Sequence, residues 1–206
     1  MLPEMREKEA DIDDIVARTI KDNGLLSELL EGLTSKDETF RYNCHKVLMA
    51  VCETHAELLY PSWDYLAEHL SSNNSYHKMS AVHLITSLVK IGTEDRFEDI
   101  FDLFYDLLDD RSMIVAYYVA QNSAKIIREK PRLENRITDK LLHIDETHHP
   151  PGRKELIKSG IIEAFDELFD DTGIRPEIID FVRQQLDSES NKTKKTAKAF
   201  LEKWGG

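Results

Sequence analysis

Five apolar residues, Leu33, Leu70, Leu108, Ile144 and Leu186, each close a short amphipathic stretch and precede a polar turn, at spacings of 37, 38, 36 and 42 residues. A period of this size means stacked supersecondary units, each too small to bury its own apolar face alone. Counting from each closing residue, position −7 is Leu26, Trp63, Phe101, Ile137 and Ile179, and position −4 is Leu29, Leu66, Phe104, Lys140 and Val182. Apolar residues at 0, −4 and −7 make one stripe of an α-helix. Lys140 is the single lapse, with Leu141 beside it to compensate.

Four positions after the closing residue stand Asp37, Asn74, Ser112 and Ser190. Their side chains suit the unpaired N–H groups of a following helix's first turn. That second helix carries small or apolar residues at +11, +14, +15 and +18: Cys44, Val47, Leu48 and Val51 in the first pair, Ala81, Leu84, Ile85 and Leu88 in the second. The third pair gives Val119, Asn122, Ser123 and Ile126, and the fifth Ala197, Phe200, Leu201 and Trp204. At 100° per residue these offsets fall within about 100° of arc, a single buried face. The fourth pair needs about three extra residues in its turn, where Pro150 and Pro151 mark a rigid exposed corner.

A helix–turn–helix of this length, with Asp37 in the turn and Arg41 opening the second helix, resembles the HEAT repeat. Asn74 with Lys78 and Ser190 with Lys194 echo the pattern, whereas the third pair has Ala116 at the basic position. The resemblance covers residues 24–205. It implies an all-α, right-handed superhelical solenoid of five helix pairs in a single domain (24–60, 61–92, 93–130, 131–172 and 173–206). The acidic segment 1–23 holds one more amphipathic helix, about Ile12–Lys21, expected to cap the first pair's apolar face.

Composition agrees with a packed, non-β chain: apolar residues make up 41% and charged residues 32%, while glycine (8) and proline (6) are sparse. The net charge of −12 repels phosphate backbones and disfavours nucleic-acid binding. Cys44 and Cys52 lie eight apart on one predicted helix, roughly 12 Å between Cα atoms, too far to bridge. Unpaired thiols, no apolar leader in the first ten residues and no bilayer-length apolar run together predict a reduced, cytoplasmic setting and no membrane partner.

His143, Asp145, Glu146, His148 and His149 form the densest set of metal-ligand residues. Their spacing matches no established metal signature, so the set reads as a long polar turn with no metal or other cofactor. HEAT-like metal hydroxylases depend on His-Glu dipeptides, and this chain has none. A HEAT-like DNA glycosylase would need a basic concave face, which the net charge opposes. Lys192, Lys194, Lys195, Lys198 and Lys203 on the last helix read as a solvated helix end, with docking of an acidic partner as the sharper alternative.

The offsets +9, +13, +16 and +20 of each second helix lie opposite the buried stripe. They read Tyr42, Lys46, Met49 and Glu53, then Met79, His83, Thr86 and Lys90, then Tyr117, Gln121, Ala124 and Arg128. Solvent-facing positions without a role are mostly charged, yet +9 is Tyr, Met and Tyr in succession, residue types enriched in binding surfaces. In a HEAT stack the second helices line the concave surface. The sequence therefore predicts a non-catalytic scaffold that holds a protein or peptide segment, an acidic one by the flanking cations, on Tyr42, Lys46, Met79, His83, Lys90, Tyr117, Gln121 and Arg128. The alternative is an enzyme, metal-dependent at the histidine-rich turn or acting on nucleic acid.

Overall fold

A computed structural model of the chain describes residues 3–92 and 96–205; the predicted start of the third pair, residue 93, lies outside the described residues. It is all-helical, with no strand among the described residues, and no described helix is long and apolar enough to cross a membrane. The helices gather into two compact units, residues 1–99 and 100–206. The sequence pattern runs on without a break, but the division falls inside the third pair.

In the first unit, α1 (Ile12–Thr19) is capped by Asp11, whose carboxylate accepts from the Asp14 amide at 3.1 Å. A 3-10 turn at Pro3–Arg6 precedes it and buries Met5 completely. α2 (Asn23–Gly32) is capped by Asp22 and buries Leu25, Leu26, Leu29 and Leu30. α3 (Glu38–Leu59) begins at Asp37, which accepts from the Phe40 amide at 3.0 Å, and is interrupted at His55 (φ −141°, ψ 49°). The N-terminal segment is fastened to α3: the buried Asn43 amide donates to the Met5 and Glu7 carbonyls, each at 2.9 Å, and Arg6 pairs with Asp37 at 2.7 Å. Asn43 thus satisfies backbone groups that packing would otherwise strand.

α4 (Trp63–Leu70) and α5 (Ser75–Leu88) follow, with Asn74 accepting from the Tyr76 amide at 2.9 Å. The stripes close as the period requires. Cys44, Val47, Leu48 and Val51 are all 0% exposed, and Ala81, Leu84, Ile85 and Leu88 no more than 1%. α3 and α5 pack against each other as well as against their own first helices, α2 and α4. α6 (Arg96–Asp99) ends the unit and buries Phe97.

The second unit opens with α7 (Phe101–Tyr105) and a 3-10 turn at Asp106–Asp109; Ile100, between α6 and α7, is not helical. The first helix of the third pair is therefore broken where the periodicity has it continuous. α8 (Met113–Glu129) lacks the predicted Ser112 cap bond. Asp110 instead shapes the turn by accepting from the Ser112 amide at 2.8 Å. The polar centre of the α8 stripe is satisfied internally, Ser123 Oγ donating to the Val119 carbonyl (2.9 Å) and Asn122 to that of Tyr118 (2.8 Å).

In α9 (Glu134–Leu142), Lys140 is exposed and Leu141 takes its place in the core with Ile137 and Ile144, all three fully buried. Pro151 occupies the first turn of α10 (Pro151–Leu168), where its missing N–H costs nothing. α11 (Arg175–Gln184) corrects the predicted phase by one residue: Gln185 is 4% exposed and Leu186 44%, while Ile178 (1%) replaces Ile179 in the core. Gln185 can be buried because its side-chain amide donates to the Phe181 carbonyl at 2.9 Å. α12 (Asn191–Trp204) is capped by Ser190 and buries Ala197 and Phe200, with Leu201 and Trp204 half-buried; α8, α10 and α12 pack successively.

These contacts predict a contrast on single faces. Leu84→Ala leaves a void in the α5 seam and should cost ~2–5 kcal/mol. Gly32→Ala would set its methyl 2.4 Å from Cys44 Sγ and 2.9 Å from the Phe40 ring, and should cost ~1–3 kcal/mol. Lys90→Ala, on the exposed side, should stay within about 0.5 kcal/mol. Urea titrations that rank Lys90 with Leu84 would contradict this packing.

Candidate functional site

On the first unit, Tyr42 is 62% exposed, and the Lys46 ammonium sits 5.6 Å from its ring centroid. Lys46 is exposed too, whereas Met79 and His83 are half-buried. His83 Nδ1 approaches His45 Nε2 at 3.4 Å, with ring centroids 5.4 Å apart, across α3 and α5. Lys90 is exposed and reaches toward the Glu53 carbonyl at 3.5 Å. His45 Nδ1 is sealed without a partner, and burial lowers the imidazole pKa to about 4. A neutral ring follows, consistent with its closeness to a second histidine.

On the second unit the predicted residues are engaged by the neighbouring helices. The Tyr117 hydroxyl donates to Glu163 Oε2 at 2.6 Å, and Gln121 Nε2 donates to the same oxygen at 2.9 Å. Lys192 on α12 donates to the Tyr117 hydroxyl at 2.7 Å, pairs with Glu163 at 3.2 Å and lies 4.3 Å from the Tyr117 ring centroid. Burial and the Glu163 hydrogen bond raise the phenol pKa, while Lys192 is raised because these hydrogen bonds outweigh its burial. Gly160 makes this approach possible: a Cβ there would stand 3.0 Å from the Tyr117 ring. Arg128 pairs with Glu167 at 3.0 Å.

Tyr42 and Met79 thus belong to the first unit, and Tyr117, Gln121 and Arg128 to the second. The +16 positions depart from the outward direction the offsets predict, since Thr86 (3%) and Ala124 (0%) are buried. Each second helix packs sideways on another second helix of its unit, and that flank closes over +16. Periodicity also passes over the +6 positions, three residues before +9 on the same flank. Tyr76 (52% exposed, stacked with Arg41 at 4.4 Å) and Ile114 (40%) stand there, and an offset of three was the signal for them.

The histidine-rich turn is directed to separate partners. His149 is buried and its Nε2–H donates to the Leu108 carbonyl at 3.0 Å, which fixes the tautomer. The His148 amide donates to Asp109 at 2.6 Å and its ring bonds the other carboxylate oxygen. Burial opposes the Asp109 charge, but these bonds outweigh it and hold the carboxyl below its ordinary value. His143 bonds the Asp139 carbonyl at 2.7 Å, and Asp145 pairs with Lys158 at 3.0 Å. A depression of about 670 Å³ beside the turn is lined by Asp106, Asp109, Asp139, His143 and Glu146 among others. Among the described residues no three His, Cys, Asp or Glu side chains converge in metal-binding geometry.

Neither the family models nor the curated proteins compared with this chain give a match. A crystal structure described as that of an engineered protein is similar at 16% identity and a TM-score of 0.44, over 97% of this chain and 93% of that one.

The His45 environment predicts an acid-sensitive first unit. Its folded pKa of about 4 lies below the ordinary 6.5, so the unfolded chain takes the proton first as pH falls. Stability should therefore drop from about pH 6.5 toward 4, and this contribution should be fully present only above that window. In urea titrations at pH 7 and pH 5, wild type should lose more stability than His45→Gln, in which the other titrating groups remain. Equal losses would contradict a buried neutral imidazole.

Proposed function

We propose that this chain is a non-catalytic, protein-binding scaffold of the cytosol, a right-handed solenoid of five HEAT-like helix pairs that holds a protein segment on the open face of its second helices. The recurring helix pairs, three of them opened by a side-chain cap of one kind at Asp37, Asn74 and Ser190, support the architectural part. Two buried, unbridged thiols, both raised to about 12 by burial, suit a reducing compartment and resist oxidation.

The observation that carries the binding reading is Tyr42. A large aromatic more than half exposed on a helix whose opposite stripe is fully buried gives the fold little, and Lys46, 5.6 Å from its ring centroid, sets a cation beside it. With Met79 and His83 in the same row it forms an amphipathic surface of the kind that anchors protein partners, and Lys46 and Lys90 favour acidic residues in the partner. Tyr117, Gln121 and Arg128 are the corresponding positions of the second unit, where Tyr117 also holds α8 to α10.

Tyr42→Ala should leave the helical circular dichroism and the melting temperature unchanged while weakening capture of the native partner about 30-fold, the effect of an aromatic anchor of roughly 2 kcal/mol. Tyr117→Ala should behave differently, losing ~1–3 kcal/mol of stability as Glu163 and Lys192 lose a shared partner. Partner capture undiminished in a folded Tyr42→Ala variant would remove the first-unit face from the reading.

A further inference from the structure

We propose that the second unit carries a docking pocket for an acidic peptide segment anchored by one bulky apolar side chain. The proposal rests on the protein-binding reading above and gives the partner a chemistry. Met113, Ile114, Tyr117, Leu156, Ser159 and Lys192 line a hollow of about 160 Å³, room for a single Leu- or Phe-sized side chain. It lies between the first turns of α8 and α12 and the Leu156–Ser159 stretch of α10. Ile114 is 40% exposed, Met113 and Leu156 are half-buried, and no side chain of the described residues fills the space between them.

The surroundings are cationic in a chain whose net charge is −12. Lys192 and Lys194 fall in the first turn of α12 and Lys195 just after it, while only Lys203 falls in its last. Cations at a helix N-terminus oppose the macrodipole, so α12 itself gains nothing from Lys194 and Lys195 there, whereas Lys192 ties the helix to Tyr117 and Glu163. Lys192 is tied to Tyr117 and Glu163, but it has three donors and keeps one for an incoming carboxylate. Among the described residues no carboxylate pairs with Lys194, Lys195 or Arg153. Arg153 stands one turn before Leu156 and Lys195 one turn after Lys192, each on the helical flank that lines the hollow. An apolar socket for one side chain, with Lys192 at its wall and the cations Arg153 and Lys195 one turn away along α10 and α12, is complementary to a segment in which acidic residues flank a single large apolar one.

Other anions fit less well. A nucleic-acid strand would need exposed aromatic platforms, whereas the Tyr117 ring is covered by Lys192, and a long polyanion meets the repulsion of the whole chain. A single small anion would leave the apolar floor unused.

The test uses the full chain and a blocked heptapeptide, Glu-Asp-Glu-Leu-Glu-Asp-Glu, followed by NMR shifts of the Met113 and Ile114 methyl groups. The expected result is a saturable titration, weakened by added salt. Replacing the peptide leucine with alanine, or its acids with lysine, should weaken binding by about tenfold or more. The same loss is expected in the double variant Arg153→Glu, Lys195→Glu, whose positions are exposed and whose melting temperature should match wild type. Tyr42→Ala should bind the peptide like wild type, so failure of the first-unit face and failure of this pocket are separable. Shifts that never saturate at millimolar peptide, that centre away from Met113 and Ile114, or that are equal for the lysine peptide would overturn the proposal.

Discussion

The side-by-side packing of second helices is the interaction on which the rest of the structure depends. Each second helix has a stripe that must be covered by its own first helix and by its neighbours at once. Cys44, Val47, Leu48 and Val51 on α3 are sealed in this way, as are Ala81, Leu84, Ile85 and Leu88 on α5. Burial of a Val- or Leu-sized side chain contributes about 1.5–3 kcal/mol, and no single pair could cover both flanks of its stripe alone. Small residues set how close the helices come. Gly32 admits Cys44 Sγ, and Gly160 admits the Tyr117 ring, at distances where a Cβ would collide.

Once the stripes are committed to the seams, what each second helix offers solvent is decided by register. Positions separated by one repeat meet across the seam, which is why His45 touches His83, Tyr117 and Gln121 share Glu163, and Arg128 reaches Glu167. Side chains at these positions are drawn into inter-helix hydrogen bonds in the second unit, while Tyr42 stays exposed in the first. The two units therefore differ: the first presents an exposed aromatic, the second an apolar hollow beside a hydrogen-bonded tyrosine.

Much of this was legible in the sequence, because apolar spacing and turn chemistry repeat together. The four-position stripes, the Asp37, Asn74 and Ser190 caps and the Leu141 substitution for Lys140 follow directly from helical geometry. What escaped were positions whose burial is permitted by a hydrogen bond rather than by hydrophobicity. Gln185 closes the fifth pair because the Phe181 carbonyl accepts its amide, and a search for an apolar residue lands one position late on Leu186. The Tyr117 network was also hidden, since its members lie 42, 46 and 75 residues apart along the chain. The lysines of α12 were visible as a run and the Ser190 cap set the helix start, but that Lys192 turns to Tyr117 and Glu163 on other helices was not.

The most direct test of this account is the distance between the Tyr117 ring and the Gly160 α-protons in solution, read from nuclear Overhauser effects. The packing described here predicts strong effects between them, since a Cβ on Gly160 would lie 3.0 Å from that ring. A Tyr117 ring whose effects run only to its own helix would show that the second helices do not meet in this register, and the seam, the polar network and the hollow beside it would fall together.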